Sequence, residues 1–319
     1  MGIVRAGRGK MIIIKLQGGL GNQLFLYGLY KNLKHLKRDV KMDIENGFEG
    51  DELRKPCLDC MNLEYAIATR DEVTDIRDSY MDIFSRIRRK ITGRKTFDYY
   101  EPEDGNYDPQ VLEMTKAYLN GYFQSEKYFG DEESVKALKD ELIKGKEDIL
   151  TSTDLITKIY HDIKNSESVS LHIRRGDYLT PGIIETYGGI CTDEYYNKAI
   201  AMIREKFSEA RLFIFSNDIE WCKEKFAGDK NISFVNTIGI NLDSEDNIKI
   251  GKIDKDISEY RDLAELYLMS ACKHHILANS SFSWWGAWLS DHEGMTIAPS
   301  KWLNNKNMTD IYTKDMLLI

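Results

Sequence analysis

Residues 169–178, Val-Ser-Leu-His-Ile-Arg-Arg-Gly-Asp-Tyr, run from an apolar strand pattern into an imidazole, two guanidiniums, a glycine and a carboxylate. Arginine stays charged at any working pH, and its planar fork matches phosphate oxygens two at a time. Arg174, with Arg175 beside it, therefore suits a diphosphate that must depart with growing negative charge. His172 can hold a phosphate or a ribose, or pack beneath the strand. Asp177 is a candidate general base or the anchor of the arginine-bearing turn, and Glu185 is a second carboxylate in the loop that follows. Three residues of such a motif would also fit an ordinary surface turn, so the reading depends on what else in the chain fits the same chemistry.

Two other stretches fit it. Met11-Ile-Ile-Ile-Lys-Leu-Gln-Gly-Gly-Leu-Gly-Asn-Gln23 is a strand run opening into Gly18, Gly19 and Gly21, and then into a helical pattern. Strand, glycine turn and helix is the layout that offers backbone N–H groups to an anion. The spacing is G-G-x-G, not the dinucleotide G-x-G-x-x-G, and no phosphate-loop lysine follows. Asn22 and Gln23 put two amides at the helix start, where they suit sugar hydroxyls. The other stretch, residues 275–289, breaks from a short strand into Asn279, Ser280, Ser281, Phe282 and Ser283 before an aromatic helix. Any one of these side chains is more commonly a helix cap. Together, with the N–H groups behind them, they form a neutral surface for a pyrophosphate. The spacing of Trp284, Trp285 and Trp288 marks helix core rather than a sugar-stacking platform.

These residues need a scaffold, and the second half of the chain supplies one. The pattern alternates as strand 169–174, helix 192–207, strand 211–216, helix 218–227, strand 232–236, helix 258–273, strand 275–279, helix 282–290 and strand 295–298. That is a doubly wound α/β arrangement. In such sheets ligands lie beyond the carboxyl ends of the strands, where His172, Arg174, Ser216, Asp218 and residues 279–283 all fall. Residues 237–257 form a polar, acidic loop. The first half is less regular, with strands 11–16, 39–43 and 117–122, a helix 23–37, and long connections. Residues 69–90 look helical and end in Arg86, Arg88, Arg89, Lys90, Arg94 and Lys95. This cluster is either a contact for anionic lipid or a lipid-linked substrate, or a solvated helix end. Helical patterns at 131–144 and 153–163 lead to a boundary near Asn165-Ser166. The organisation expected is a disordered leader over 1–10, a first domain over 11–165 and a second over 166–319.

The motifs Gly18-Gly-Leu-Gly-Asn-Gln23, Gly121-Tyr-Phe-Gln-Ser125, His172-Ile-Arg-Arg-Gly-Asp177, Phe215-Ser-Asn-Asp218 and Ala278-Asn-Ser-Ser-Phe-Ser-Trp-Trp-Gly286 together resemble the α-1,2-fucosyltransferases of glycosyltransferase family 11. They run in the family's order from about residue 11 to beyond 300. The resemblance implies inverting transfer of L-fucose from GDP-β-L-fucose to the 2-hydroxyl of a terminal β-galactose, with no required metal and no cofactor. It implies the glycosyltransferase B fold, two Rossmann-like α/β domains facing a cleft. The first domain would be acceptor-side and the second would bind GDP-fucose, with the C-terminal segment able to return to the first. Donor contacts would then come from Gly18, Gly19, Gly21, Asn22, Gln23, His172, Arg174, Ser216, Asn217, Asp218, Glu265, Asn279, Ser280, Ser281, Phe282 and Ser283. Acceptor contacts would come from Asn22, Gln23, Tyr178 and Glu185. Catalysis would rest on Arg174, His172 and Asp177. An acidic residue about this far upstream of the serines reads guanine in fucosyltransferases of this architecture, which points to Glu265 and then Asp262. The sequence departs from many relatives at Asn217, where they carry an aspartate.

Composition fits an enzyme of two ordinary domains: 319 residues, 42% hydrophobic and 11% aromatic. A net charge of −8 argues against a nucleic-acid binder, so positive charge must be focused locally. The five cysteines are odd in number and scattered, as expected in a reducing compartment. No run spans a bilayer and no signal-peptide core is present, so a cytoplasmic protein is expected, with a peripheral contact at the membrane's inner face through the basic cluster. Animal members of the family carry an N-terminal membrane helix, and its absence gives the chain a bacterial look. Three rival readings stand beside this one. A manganese-dependent transferase of the other main fold would use Asp254-Lys-Asp256 or residues 40–45. Another GDP-sugar transferase would make a different acceptor linkage. A silent glycan- or nucleotide-binding protein would keep the scaffold alone.

Overall fold

Ile12, Ile13 and Ile14 are fully buried in β1 (Ile12–Lys15), as a strand covered on both faces requires. The computed structural model describes residues 10–51, 54–77, 83–91, 93, 96–237 and 257–319. The chain divides into two compact units, residues 1–138 and 139–319.

In the first unit β1 pairs with β2 (Val40–Asp43) on one side and β4 (Ala117–Asn120) on the other, and β4 pairs with β3 (Asp98–Tyr100). All pairs are parallel, and the order is β2-β1-β4-β3. The direction of winding reverses between β1 and β4, so the ends of these two strands bound the unit's crevice. The helix Leu20–His35 starts earlier than the pattern suggests. Gly21 is tolerated in its first turn, where backbone N–H groups have no intrahelical partner anyway. Residues 69–90 resolve into two helices, Arg70–Ile76 and Ile83–Ile91. The first is closed by a reciprocal Thr69–Glu72 capping box.

The second unit carries a six-stranded parallel sheet in the order β10-β9-β8-β5-β6-β7. Its strands are β5 (Glu167–Ile173), β6 (Ala210–Ser216), β7 (Ile232–Phe234), β8 (His274–Ile276), β9 (Thr296–Ala298) and β10 (Met316–Leu318). On one face Val169, Leu171, Leu212, Ile214, Ile276 and Ile297 pack against the helix Asp193–Lys206. Strand order reverses between β5 and β8, which pair in parallel and thus bring their carboxyl ends side by side. β10 was not legible in the sequence; it pairs with β9, so the last residues complete this sheet. The division between units falls before the expected boundary near 165. The physical reason is that the helices Lys146–Leu150 and Asp154–Lys164 pack on the helix Ile257–Ala271, and Tyr267 donates its hydroxyl to the Leu142 carbonyl at 2.7 Å.

The leader over 1–9, residues 238–256 with Asp254 and Asp256, and Arg94 and Lys95 lie outside the described residues. Among the described residues no helix is long and apolar enough to cross a membrane. None of the five cysteines is in a disulfide.

Candidate active site

β5 delivers His172 and then Arg174 at its carboxyl end, against the reversal point with β8. Arg174 gives two parallel hydrogen bonds to Asp177, Nε to Oδ1 at 2.9 Å and Nη2 to Oδ2 at 2.8 Å. A guanidinium has five N–H bonds, and Arg174 gives only these two to side chains among the described residues. Arg174 lines a cavity of about 200 Å³ together with Arg175, Tyr178, Tyr187, Trp221 and Asn279. Tyr178 supports the fork from beside it, with Arg174 5.6 Å from its ring centroid, and its hydroxyl donates to the Asn279 carbonyl.

Arg175 is locked differently. Its Nε donates to Asp218 at 3.2 Å, and its guanidinium lies 3.8 Å from the Trp221 ring centroid. Its backbone N–H donates to Asn217 Oδ1 at 3.0 Å, and Asn217 Nδ2 reaches Asp177 Oδ1 at 3.5 Å. Gly176 sits between them at φ 24°, and a Cβ there would come 2.4 Å from Asn217 Nδ2. The turn thus requires glycine at 176 and is braced by an amide at 217.

Several of the expected site residues are engaged in contacts of their own. Asp177, read as a general base or as the anchor of the arginine-bearing turn, has both oxygens bonded to Arg174, the contact that the anchor reading names. Asp218, expected among the donor contacts, caps the helix Ile219–Lys225 by accepting from Trp221 N–H and pairs with Arg175. Ser216, expected at the donor, accepts from the Asp218 N–H. Asn217 is spent on the turn. Asn279, expected at the diphosphate, is 3% exposed and donates to the Tyr187 and Trp302 carbonyls. Ser280 caps the helix Ser281–Trp288, and Ser283 bonds back to the Ala278 and Ser280 carbonyls. Ser281 and Phe282 remain partly exposed at that helix start. Trp284 and Trp285 are fully buried, so they are core, as their spacing indicates.

Burial, with the nearby Arg174 charge, pushes His172 down to about 3. It is a neutral imidazole at physiological pH, 4% exposed, packed near Phe282, with Nδ1 lacking a protein partner. Glu265 lies on the helix Ile257–Ala271 and accepts from Thr237 Oγ1 at 2.6 Å. Burial lifts it to about 7, so its charge changes near neutral pH. No contact joins it to the Arg174 turn among the described residues. Glu185 is exposed on the short helix Ile184–Tyr187.

In the first unit the turn after β1 meets the turn after β4. Gly18 takes φ 79°, and the amide of Asn22 accepts from Gln124 Nε2 at 2.7 Å. Gln17 donates to the Gly121 carbonyl at 3.0 Å. Gln23, expected to touch sugar, is fully buried: Nε2 donates to the Gly18 and Lys55 carbonyls and Oε1 accepts from Cys57 N–H. It staples the glycine turn instead. Gly19 and Gly21 shape the helix start, and nothing lies within 4 Å of where a Gly19 Cβ would be. Residues 40–45 offer no open carboxylate pair, because Asp43 accepts from Asn46 and Tyr118.

Sequence reading missed Trp221 and Gln124. Trp221 stands three residues after Asp218, one helical turn on, which was the available signal. Gln124 lies within a motif already noted, but its pairing with Asn22 depends on the β1–β4 register.

The description Glycosyl transferase family 11 matches residues 105–319. The chain is 31% identical to an Escherichia coli alpha-1,2-colitosyltransferase over 93% of its own length and 94% of that protein's. It is 30% identical to the Escherichia coli O-antigen biosynthesis glycosyltransferase WbnK, over 92% and 95%. The solved structure of fucosyltransferase NodZ from Bradyrhizobium aligns over 88% of this chain and 93% of that one, at 12% identity and a TM-score of 0.43. The matched segment includes the turns that follow β5, β6 and β8, and similarity to the two E. coli proteins extends over nearly the whole chain. An α/β protein built on two parallel sheets, with these turns at the strand ends, this chain belongs to glycosyl transferase family 11.

Proposed function

We propose that the chain moves L-fucose from GDP-β-L-fucose to the 2-hydroxyl of a terminal β-galactoside, with inversion at the fucose anomeric carbon. The supporting observation is Arg174 at the β5–β8 reversal, its fork held by Asp177 and the residue lining a cavity. In this reading the bond between fucose C1 and the diphosphate oxygen breaks as the galactose hydroxyl attacks the opposite face. The electron pair leaves with GDP, and Arg174, with Ser281 and the first N–H groups of its helix, balances the charge that develops. His172, neutral and unpartnered at Nδ1, accepts or donates one hydrogen bond to the donor. Because Asp177 is committed to Arg174, we assign proton removal from the acceptor to Glu185. Glu265 reads the guanine N1–H and N2–H pair.

The E. coli relative named alpha-1,2-colitosyltransferase supports a second reading, in which colitose is the sugar moved. Incubation with GDP-fucose or GDP-linked colitose and a panel of β-galactosides, with the product linkage assigned by NMR, tests both. An α-1,2-fucosylated galactoside is expected. Faster consumption of the colitose donor would favour the second reading, and no transfer from either donor would sink both.

A further inference from the structure

The helix Ile83–Ile91 takes no part in the site described above. Its sequence is Ile-Phe-Ser-Arg-Ile-Arg-Arg-Lys-Ile. At about 100° per residue, Ile83, Phe84, Ile87 and Ile91 fall within one arc of about 100°, and Arg86, Arg88, Arg89 and Lys90 occupy positions around the rest. In a helix packed on a core, that apolar arc would face inward. Here Ile83 is 68% exposed, Phe84 79%, Ile87 48% and Ile91 80%. Arg86 and Lys90 are exposed as well. In a chain of net charge −8, this segment holds four basic residues and no acidic one. An exposed apolar stripe rimmed by cations marks an interaction surface of defined chemistry.

We propose that this helix is an interfacial anchor: it lays its isoleucine and phenylalanine stripe into the headgroup boundary of a bilayer containing anionic phospholipid, with Arg86 and Lys90 against the lipid phosphates. The two features act together. Apolar burial at the acyl boundary removes the stripe from water, and the negative surface potential of anionic lipid holds the basic rim. So short a helix is marginal in water by itself, and the bilayer would also fix its backbone. A second copy of the chain is a poorer occupant, because facing two such stripes would bring two basic rims together. Nucleic acid would satisfy the cations and leave the stripe in water. The anchor does not rest on the transfer chemistry and stands apart from it.

Flotation of the full chain with phosphatidylcholine vesicles, with and without phosphatidylglycerol, tests this. Binding to the anionic vesicles alone, released by high salt, is expected. Changing Ile87→Glu with Ile91→Glu should weaken vesicle binding at least about tenfold. Arg86→Glu and Lys90→Glu should each weaken it at least about fivefold. Circular dichroism, melting temperature and transfer to a soluble acceptor should be unchanged in all of these variants. Absence of binding to anionic vesicles would overturn the proposal, as would binding indifferent to the isoleucine changes. A wild-type dimer in sedimentation velocity that the isoleucine variant breaks would also overturn it, by seating a second copy on the stripe.

Discussion

Arg174 and Asp177 form a pair of parallel charge-assisted hydrogen bonds, so a change at either residue moves both. Arg174→Lys replaces a planar fork with a point charge that cannot meet Asp177 and a phosphate together. Turnover should fall by about 30- to 1,000-fold, corresponding to about 2–4 kcal/mol in barrier. Near-normal kcat in steady-state assays would remove Arg174 from the leaving-group role. Glu265 carries a different kind of prediction. Its folded-state pKa of about 7 lies above its ordinary 4.5, so the protonated form is favoured by folding. The stability this gives is full below about pH 4.5 and is lost as pH rises through about 7. Glu265→Gln keeps an acceptor for Thr237 and avoids the buried charge, so its melting temperature should gain on wild type more at about pH 8 than at about pH 5. A guanine-reading Glu265 must also be ionised, so wild-type affinity for GDP should fall below about pH 7. In the glutamine variant GDP should weaken more than IDP, which lacks the N2 amine. Equal losses by calorimetry would move base reading to Asp262.

At the scale of elements, the turn after β5 depends on a contact that only tertiary structure provides. Gly176 faces Asn217 across the β5–β6 ends, with room for a hydrogen and none for a methyl. Gly176→Ala should push Asn217 off the Arg175 N–H and shift Arg174, lowering kcat about 10- to 100-fold while the melting temperature moves by only a few degrees. Unchanged kinetics would show that the turn has slack. The same contact shows what was legible beforehand. Strand ends could be read because Val169, Leu171 and Ile173 alternate with polar residues along β5 and Leu212 to Phe215 form an apolar run in β6, and polar residues follow each. That Arg174, Asn217 and Asn279 share one region followed from the rule for carboxyl ends. Their individual partners did not follow. Asn279 is consumed by carbonyls of Tyr187 and Trp302 and Gln23 in part by that of Lys55, and no local pattern announces a bond between residues so far apart. β3 and β10 were missed because three-residue strands display no period of their own and, unlike the equally short β7, β8 and β9, these two lie outside the regular strand–helix alternation.

For the molecule as a whole, charge sets the problem that the site must solve. A chain of net charge −8 repels a nucleotide diphosphate at long range, so binding depends on short-range donors in a partly closed cavity. Arg175 is paired with Asp218 and stacked on Trp221, so in the proposed reaction Arg174 is the main cation offered to the donor. In that proposal its remaining N–H bonds, the Ser281 hydroxyl and N–H groups at the start of the following helix take the place of a bound divalent ion at the leaving group. Among the described residues no three of His, Cys, Asp or Glu stand close enough to hold such an ion. With Arg174 in that role, we expect GDP affinity by calorimetry, and turnover of the donor, to be the same in excess EDTA as without it. The comparison must be EDTA against no addition, since magnesium binds released GDP and alters product release by itself. A loss of turnover in EDTA that manganese restores would mean that Arg174 does not carry the leaving group alone and that a divalent ion takes part.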